Sequence, residues 1–320
     1  LPKIKNINPR AYLAFYGLYA KLNKDLLLSL GGKTIISGEF EESLVHLYQQ
    51  LVDNKIFSNS ELVSLKRQNF RKPNRSHLPN LNNYAKLING EAQSITVGYT
   101  EGTRGCKHIC RHCPIVPVYK GRFFVVQQDV VMEDICQQVE AGAEHITFGD
   151  PDFFNGPGHA FRLVKSFHEE FPDLTYDVTI KVEHLLAHRE KLPLLAETGC
   201  LFVTTAVEEV DNEVLCKLEK NHTRIDFLEV VNATRSAGLT LSPTFIPFHP
   251  WTTTFGFVDL LSMINELNLI ENVAPVQLGI RLLIPEGSRI LELKDINQFL
   301  GDFDAEKLSY NWKPADPLAD

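Results

Sequence analysis

The stretch "RGCKHICRHCP" carries three cysteines, Cys106, Cys110 and Cys113, in the spacing Cys-x-x-x-Cys-x-x-Cys. Two histidines, His108 and His112, lie between these thiols. Thiolates are the soft, anionic ligands that iron–sulfur clusters and zinc select, and three of them are one fewer than most closed sites use. The spacing therefore predicts one of two sites. One is a Cys3His zinc site completed by His108 or His112, and the other is a [4Fe-4S] cluster whose fourth iron stays open to a chelating substrate.

The elements around this loop predict an α/β fold. From Ser94 onward, short apolar runs that end in polar residues alternate with helical segments. We predict helices over residues 129–142, 158–170, 188–198, 211–220, 224–237 and 255–268. Six β units with helical crossovers favour a parallel sheet, which right-handed crossovers curl into an open (β/α)6 partial TIM barrel. A flat, doubly wound sheet is the competing topology.

The position of the cysteine loop separates the two metal sites. The loop follows the first predicted strand, "QSITVGYTE", and ligands of both topologies bind at the carboxyl ends of the strands. Structural zinc loops usually staple small domains, whereas this loop is expected at the mouth of a large one that needs no staple. The position therefore favours the open cluster.

The segments on either side of the barrel lead to a division into three regions. Apolar residues recur at steps of three and four near the start of the chain, which predicts that residues 1–60 are helical. The Asn-, Pro- and Arg-rich stretch after them is predicted to be a linker. Its basic residues are able to bind an anionic partner, although a solvated linker is favoured: Lys66, Arg67, Arg71, Lys72 and Arg75. The predicted regions are 1–92, an N-terminal helical extension plus linker; 93–293, the barrel; and 294–320, a C-terminal extension that we expect to be truncated.

The composition is that of a globular protein. Of the 320 residues, 44% are hydrophobic, and the formal net charge is −8, so a broad attraction to nucleic acid is not expected. The other three cysteines, Cys136, Cys200 and Cys216, are scattered and do not form a disulfide framework. This usage predicts a reducing, cytoplasmic setting, and no apolar run approaches the length of a membrane span.

The cysteine motif in the first loop of a six-unit β/α barrel resembles the radical SAM superfamily, and the resemblance covers Ser94 to about Leu293. It implies a [4Fe-4S] cluster held by the three cysteines and S-adenosylmethionine (SAM) chelated at the open iron. It also implies reductive cleavage of a carbon–sulfur bond, a small-molecule substrate, and an electron donor such as flavodoxin or ferredoxin. Release of a 5′-deoxyadenosyl radical and release of a 3-amino-3-carboxypropyl radical both remain open. A non-catalytic scaffold that keeps the cluster is a further alternative, as is a zinc-stapled protein with hydrolytic or binding function.

The same resemblance implies a set of SAM-binding residues: His112 beside the adenine, Gly149 and Asp150 near the amino group through their backbone, Glu208, Lys181 and Arg281 on the polar groups, and Leu283 under the adenine. For Lys181, an ion pair with Glu183 or Asp152 is the alternative. Arg281, predicted within the sixth strand, needs an anion partner, either SAM or an internal acid. Catalytic residues stay unassigned.

Three further residues are substrate candidates. Asp152 either contacts substrate or caps the helix after it, and His249 and Trp251 either face the cavity or pack in their loop. Six other histidines show no ligand spacing and are predicted to be surface or packed residues: His145, His159, His168, His184, His188 and His222.

A closer resemblance connects "CRHCPIVPVYKGRF", "HITFGDPDFFNGP" and "PFHPWTT" to bacterial radical SAM proteins with cysteine-bearing C-terminal tails. A related branch makes arsinothricin by aminocarboxypropyl transfer. No cysteine follows Cys216, so the tail is not seen in this sequence. We also find no cobalamin-binding domain and no second cysteine-rich region, which argues against cobalamin-dependent methylation.

Overall fold

The computed structural model describes residues 2–53, 60–88 and 94–319, so the boundary predicted between residues 92 and 93 lies outside the described residues. The N-terminal part forms a small α/β unit with a three-stranded parallel sheet in the order β1-β2-β3. Its strands are β1 (Ala14–Tyr16), β2 (Thr34–Gly38) and β3 (Ser60–Ser64). Its helices are α1 (Pro2–Ile7), α2 (Leu18–Leu22), α3 (Lys24–Ser29) and α4 (Glu41–Val52).

This unit corrects the prediction of helices alone. The apolar residues between Tyr12 and Leu26 do not form one helix, because Phe15 belongs to β1 and Asn23 separates α2 from α3. Every residue of β2 is buried. Because both faces of β2 are buried, its sequence lacks the alternation of apolar and polar residues that marks a half-exposed strand.

The linker packs on the barrel. Strand β4 (Lys86–Ile88) pairs antiparallel with β5 at the sheet edge. Arg75 donates through Nε and Nη2 to both carboxylate oxygens of Asp134, at 2.7 and 2.8 Å. One member of the predicted basic cluster is therefore an anchor for the linker.

The central sheet is the predicted curled half-barrel, with strand order β11-β10-β9-β8-β5-β4 and five parallel members. These are β5 (Ser94–Thr100), β8 (His145–Phe148), β9 (Thr175–Thr179), β10 (Cys200–Glu208) and β11 (Thr240–Phe245). The antiparallel pair of β6 (Thr103–Gly105) and β7 (Phe123–Val125) follows β5, and the three cysteines lie in the segment between these two strands. The sixth β unit is not an extended strand, since its pairing is a single parallel bridge between Phe248 and Arg281.

Helices connect the strands close to the predicted positions. They are α5 (Val116–Tyr119), α6 (Gln128–Glu140), α7 (Pro157–Glu170), α8 (Val182–Ala187), α9 (Leu192–Glu197), α10 (Asn212–Lys217), α11 (Arg224–Ser236) and α12 (Thr254–Glu266). The predicted helix 188–198 begins later than expected, at Leu192. Among the described residues, no helix has both the length and the apolar character to cross a membrane.

Alternation along the strands separates the core from the barrel interior. Phe148 and Tyr176 are fully buried and pack edge-on against each other and against Phe167 of α7. Thr147 and Asp177 point to the opposite face, where the Thr147 hydroxyl donates to Asp177 at 2.6 Å. The half-barrel therefore has an apolar outer layer under its helices and a polar interior.

A C-terminal hairpin covers a second apolar cluster. Its strands are β12 (Leu300–Asp304) and β13 (Ser309–Trp312). Trp312 is buried with Leu282 and Ile284, and its Nε1 donates to the carbonyl of Leu282 at 2.8 Å. The hairpin thus fixes the residues of the sixth β unit.

Candidate functional site

The three cysteines lie in the loop between β6 and α5, one short strand later than predicted. Cys106 and Cys110 are buried, Cys113 is half-buried, and all three thiols are free. Burial raises the pKa of Cys106 to about 12 and that of Cys113 to about 11. A buried thiol keeps its proton until a metal replaces it, so metal binding here releases protons.

The three thiols are not among the groups of ligand atoms that lie close enough together for a single ion. Within the described part of the chain, the one group of His, Cys, Asp or Glu ligand atoms that all lie within 4.8 Å of one another is elsewhere, at His108, Glu183 and His184. Thiolates on one tetrahedral zinc stand about 3.8 Å apart, given Zn–S bonds of about 2.3 Å. Among the described residues, the cysteines do not form a compact group with His108 or His112, and the choice of metal stays a prediction.

The side chain of Asn155 and the conformation of Gly105 fix the backbone of the loop. Asn155 accepts the N–H of Lys107 and donates to the carbonyl of Gly105, both at 3.1 Å. Gly105 has φ +77°, and an added Cβ would lie 2.5 Å from the ring of Tyr119. The chain therefore turns into the loop at a position that only glycine fits.

Asp150 braces the start of β6. Its carboxylate accepts the N–H of Gly102 at 2.8 Å and the hydroxyl of Thr103 at 2.6 Å. Burial raises the pKa of Asp150 to about 7, although both hydrogen bonds lower it. The side chain of Asp150 is therefore used to hold the fold. Its predicted backbone contact with SAM stays a prediction.

Asp152 connects the cysteine loop with α8. Its Oδ1 accepts the N–H of Phe154 at 3.1 Å, as in the predicted cap. Its Oδ2 lies 3.1 Å from His108 Nε2 and 2.7 Å from His184 Nδ1. Burial raises the pKa of Asp152, but the two imidazoles lower it to about 2. His184, predicted to be a packed or surface residue, thus belongs to a polar cluster at the barrel mouth.

Glu208 ends β10 and faces the cysteine loop. A register shift between Ala206 and Glu208, with φ +71° at Glu208, turns its side chain out of the strand pattern. Its Oε1 lies 3.2 Å from His112 Nε2 and 3.3 Å from Lys220 Nζ. Burial raises the pKa of Glu208, whereas the charge of Lys220 and the contact with His112 lower it to about 2.

Several polar atoms around Glu208 lack hydrogen-bond partners. These are Nζ of Lys181, both ring nitrogens of His222, and Nδ1 of His112. Lys181 is buried, and its nearest carboxylate oxygen is Oε2 of Glu183 at 3.8 Å, which matches the alternative predicted for it. Burial, reinforced by the charges of Lys220 and Lys181, lowers the pKa of His222 to about 4. Buried polar groups are normally paired, so these atoms fit a bound group that carries a carboxylate and hydroxyls.

Gly149 is covered by a neighbouring side chain, and its backbone contact with SAM stays a prediction. Its N–H donates to the carbonyl of Thr100 at 2.8 Å. An added Cβ would lie 1.9 Å from the hydroxyl of Tyr99, so the ring of Tyr99 covers this glycine.

The remaining predicted residues lie apart from this cluster. His249 Nε2 contacts Glu209 Oε2 at 2.8 Å, and Trp251 donates through Nε1 to Asp295 at 3.0 Å. With Glu209, they line a separate cavity of about 250 Å³. Their substrate contact stays a prediction.

Arg281 and Leu283 are exposed, which corrects the expectation of a buried charge within a strand. The guanidinium of Arg281 lies 3.6 Å from the ring centroid of Trp312 and donates to the carbonyl of Trp312 at 2.6 Å. The reason is that the sixth β unit is only a bridge, so Arg281 is not enclosed by a sheet. SAM contacts of these two residues stay a prediction.

Comparison with known proteins gives a family match. Residues 100–262, just over half of the chain, match the family described as the Radical SAM superfamily. Hopanoid C-3 methylase from Methylococcus capsulatus is 25% identical over 151 residues, which are 47% of this chain and 29% of that protein.

Two solved structures share the fold. The radical S-adenosylmethionine methyltransferase TsrM from Kitasatospora setae, with tryptophan substrate and a SAM analogue bound, superposes with a TM-score of 0.67 at 16% identity, over 81% of this chain and 54% of that chain. The cobalamin-dependent S-adenosylmethionine radical enzyme OxsB, with aqua-cobalamin bound, superposes with a TM-score of 0.67 at 11% identity. The match covers 99% of this chain and 54% of that chain. The chain thus spans about half of each structure and less than a third of the methylase.

Proposed function

This chain belongs to the radical SAM superfamily, and from that membership we propose that it cleaves SAM reductively to modify a small molecule by radical chemistry. The observation that carries the proposal is the loop of three free thiols at the carboxyl ends of the barrel strands, in a chain that matches the family over residues 100–262. The cofactors of the family are a [4Fe-4S] cluster and SAM. When bound, the reduced cluster supplies the electron that breaks a carbon–sulfur bond of the sulfonium.

The side chains around Glu208 have complementary chemistry for the amino acid part of SAM. Lys181 and Lys220 supply positive charge for a carboxylate, and Glu208 supplies an acceptor for an ammonium or for ribose hydroxyls. His112 places a ring in the loop beside Glu208, where the adenine is expected. Residues 149–152 supply backbone groups at the end of β8. These residues bind and orient the cofactor.

The outcome of cleavage distinguishes three reactions. Hydrogen abstraction by a 5′-deoxyadenosyl radical leaves 5′-deoxyadenosine. Aminocarboxypropyl transfer, the reaction of the related arsinothricin branch, leaves methylthioadenosine. Methyl transfer leaves S-adenosylhomocysteine.

Methyl transfer is a second candidate, and one feature of the fold favours it. The carboxyl end of β2 leads to Glu39, which accepts the hydroxyl of Tyr119 at 2.9 Å and lies 3.4 Å from Arg104. The N-terminal parallel sheet therefore directs its ligand-binding edge toward the cysteine loop. TsrM and hopanoid C-3 methylase are methylating enzymes and OxsB binds cobalamin, so a corrinoid at this edge is testable by retention of hydroxocobalamin on gel filtration.

The setting that we propose is a reducing cytoplasm, with flavodoxin or ferredoxin as the electron donor. Reduction in the laboratory needs only dithionite.

The test is anaerobic reconstitution with iron and sulfide, followed by reduction in the presence of SAM. We expect about four irons per chain and one of the three nucleoside products. Cys110→Ala should lose both the iron and the nucleoside product. Cys136→Ala, which changes a half-buried cysteine outside the loop, should keep both. Stoichiometric zinc with no sulfide, or the absence of all three products with every reductant, contradicts the proposal.

A further inference from the structure

The polar cluster at the barrel mouth has the chemistry of a metal site that is separate from the thiols. Ligand atoms of His108, Glu183 and His184 all lie within 4.8 Å of one another. His108 Nδ1 is 2.9 Å from Glu183 Oε1, and the rings of His108 and His184 stand with their centroids 4.6 Å apart. Asp152 adds a second carboxylate, with Oδ2 at 2.7 Å from His184 Nδ1.

One atom of this cluster is unexplained by hydrogen bonding. His184 is buried, and its Nδ1 makes no hydrogen bond even though Asp152 Oδ2 is only 2.7 Å away. The two atoms are therefore close together but poorly aligned for a hydrogen bond. Ligand atoms that surround one cation meet in this way, at close range and without donor–acceptor alignment.

The local charges leave room for a cation. With neutral imidazoles, the carboxylates of Asp152 and Glu183 outnumber the single ammonium of Lys181 by one negative charge. Lys181 Nζ lies 3.8 Å from Oε2 of Glu183, while Oε1 is the oxygen that faces His108. Lys181 is therefore nearest to one oxygen of Glu183, and the other oxygen is the one beside the imidazoles.

We propose that His108, His184 and Glu183, with Asp152 as a further oxygen ligand, bind one divalent first-row transition metal ion beside the cysteine loop. Two imidazoles and a carboxylate are a donor set that such ions favour, and the set excludes sulfur. Because His108 belongs to the cysteine loop itself, the ion would lie at the barrel mouth between the loop and α8, where it can polarise a substrate oxygen or bind a substrate ligand directly.

A network of hydrogen bonds without an ion is the competing account. It explains His108, whose two nitrogens each meet a carboxylate oxygen. It leaves His184 Nδ1 close to Asp152 Oδ2 but poorly aligned with it, and the alignment at this atom is where the two accounts differ.

The test uses Zn²⁺ on protein whose thiols are already occupied by the reconstituted cluster. Equilibrium dialysis with metal counting should give one zinc per chain and an unchanged iron content. X-ray absorption at the zinc edge should show only nitrogen and oxygen neighbours, at about 2.0–2.1 Å, and no sulfur at about 2.3 Å. His184→Gln and Glu183→Gln should each weaken zinc binding about tenfold or more.

His188→Gln is the matched control, because His188 is half-buried beside His184 but lies outside the ligand set. It should bind zinc like the wild type, and iron counts should confirm that every variant still folds and loads its cluster. The inference is overturned by the absence of saturable zinc binding, by sulfur neighbours, by loss of iron as zinc binds, or by equal zinc affinity in His184→Gln and wild type. None of these readouts depends on SAM cleavage, so the metal site can fail while the proposed function stands.

Discussion

The side-chain amide of Asn155 brackets Cys106. Its Nδ2 donates to the carbonyl of the preceding residue, and its Oδ1 accepts the N–H of the following one, both at 3.1 Å. Asn155 is 3% exposed, so water does not compete for these bonds. One side chain thereby fixes the backbone on both sides of the first cluster ligand.

We predict that Asn155→Asp loads less cluster than wild type. The substitution keeps the shape but sets a second acceptor against the carbonyl of Gly105, and a buried unsatisfied group costs about 1–3 kcal/mol. Iron per chain after reconstitution and the free energy of unfolding in urea should both fall. Asn82→Asp, in the exposed turn before β4, serves as the control. Full cluster content and an unchanged free energy of unfolding in Asn155→Asp would show that the two hydrogen bonds of Asn155 are not needed for cluster binding.

The buried carboxyl of Asp150 should make stability depend on pH. Burial raises its pKa from 3.8 to about 7, against hydrogen bonds from Thr103 and Gly102 that lower it. The folded state then holds more protons than the unfolded state within this window, so the free energy of unfolding falls as pH rises from 3.8 to about 7.

Asp150→Asn removes this titration while keeping one acceptor oxygen. In urea unfolding at a series of pH values, the free energy of unfolding should fall less steeply with rising pH for the variant than for the wild type. Parallel curves for the two proteins would mean that Asp150 is ionised throughout.

Glu208 and Lys220 should behave as one unit. Both are buried, and Lys220→Met leaves the carboxylate with His112 alone, which costs about 3–5 kcal/mol for a broken buried pair. The double variant Lys220→Met/Glu208→Gln should be more stable than Lys220→Met, because it removes the uncompensated charge. A double-mutant cycle in urea measures this coupling, and strictly additive effects would refute it.

Weaker SAM binding by Glu208→Gln is expected from the same geometry.

His112→Phe distinguishes cofactor binding from metal ligation. The ring is kept, but the contact between Nε2 and Glu208 Oε1 at 3.2 Å is lost. Iron content should equal that of the wild type, while the dissociation constant for SAM should change. Loss of metal on this substitution would restore the zinc site with His112 as its fourth ligand.

The local parts of this account were predictable from sequence. The cysteine spacing lies within eight residues, and the helix boundaries follow apolar periodicity and caps, such as the capping box of Thr223 and Asp226 at the start of α11. Asp152 was also predictable as a cap, because its acceptor role acts on the next two residues.

The parts that were missed depend on distant pairings. Asn155, Lys220 and His184 reach the site only after the chain folds, and nothing in their immediate neighbours marks them. Strand β2 was missed because a five-residue run that is buried on both faces has no period of its own. Arg281 was misplaced because the sixth β unit pairs through a single bridge, and a sequence pattern does not reveal how far pairing extends.

The central claim is that Cys106, Cys110 and Cys113 hold a cluster with one iron open to SAM. Electron paramagnetic resonance of the dithionite-reduced protein, recorded with and without SAM, tests it most directly. The account predicts a reduced-cluster signal in wild type and Cys136→Ala that changes when SAM is added, and no such signal in Cys110→Ala. A signal that does not respond to SAM, or reconstituted wild-type protein without one, would contradict the account.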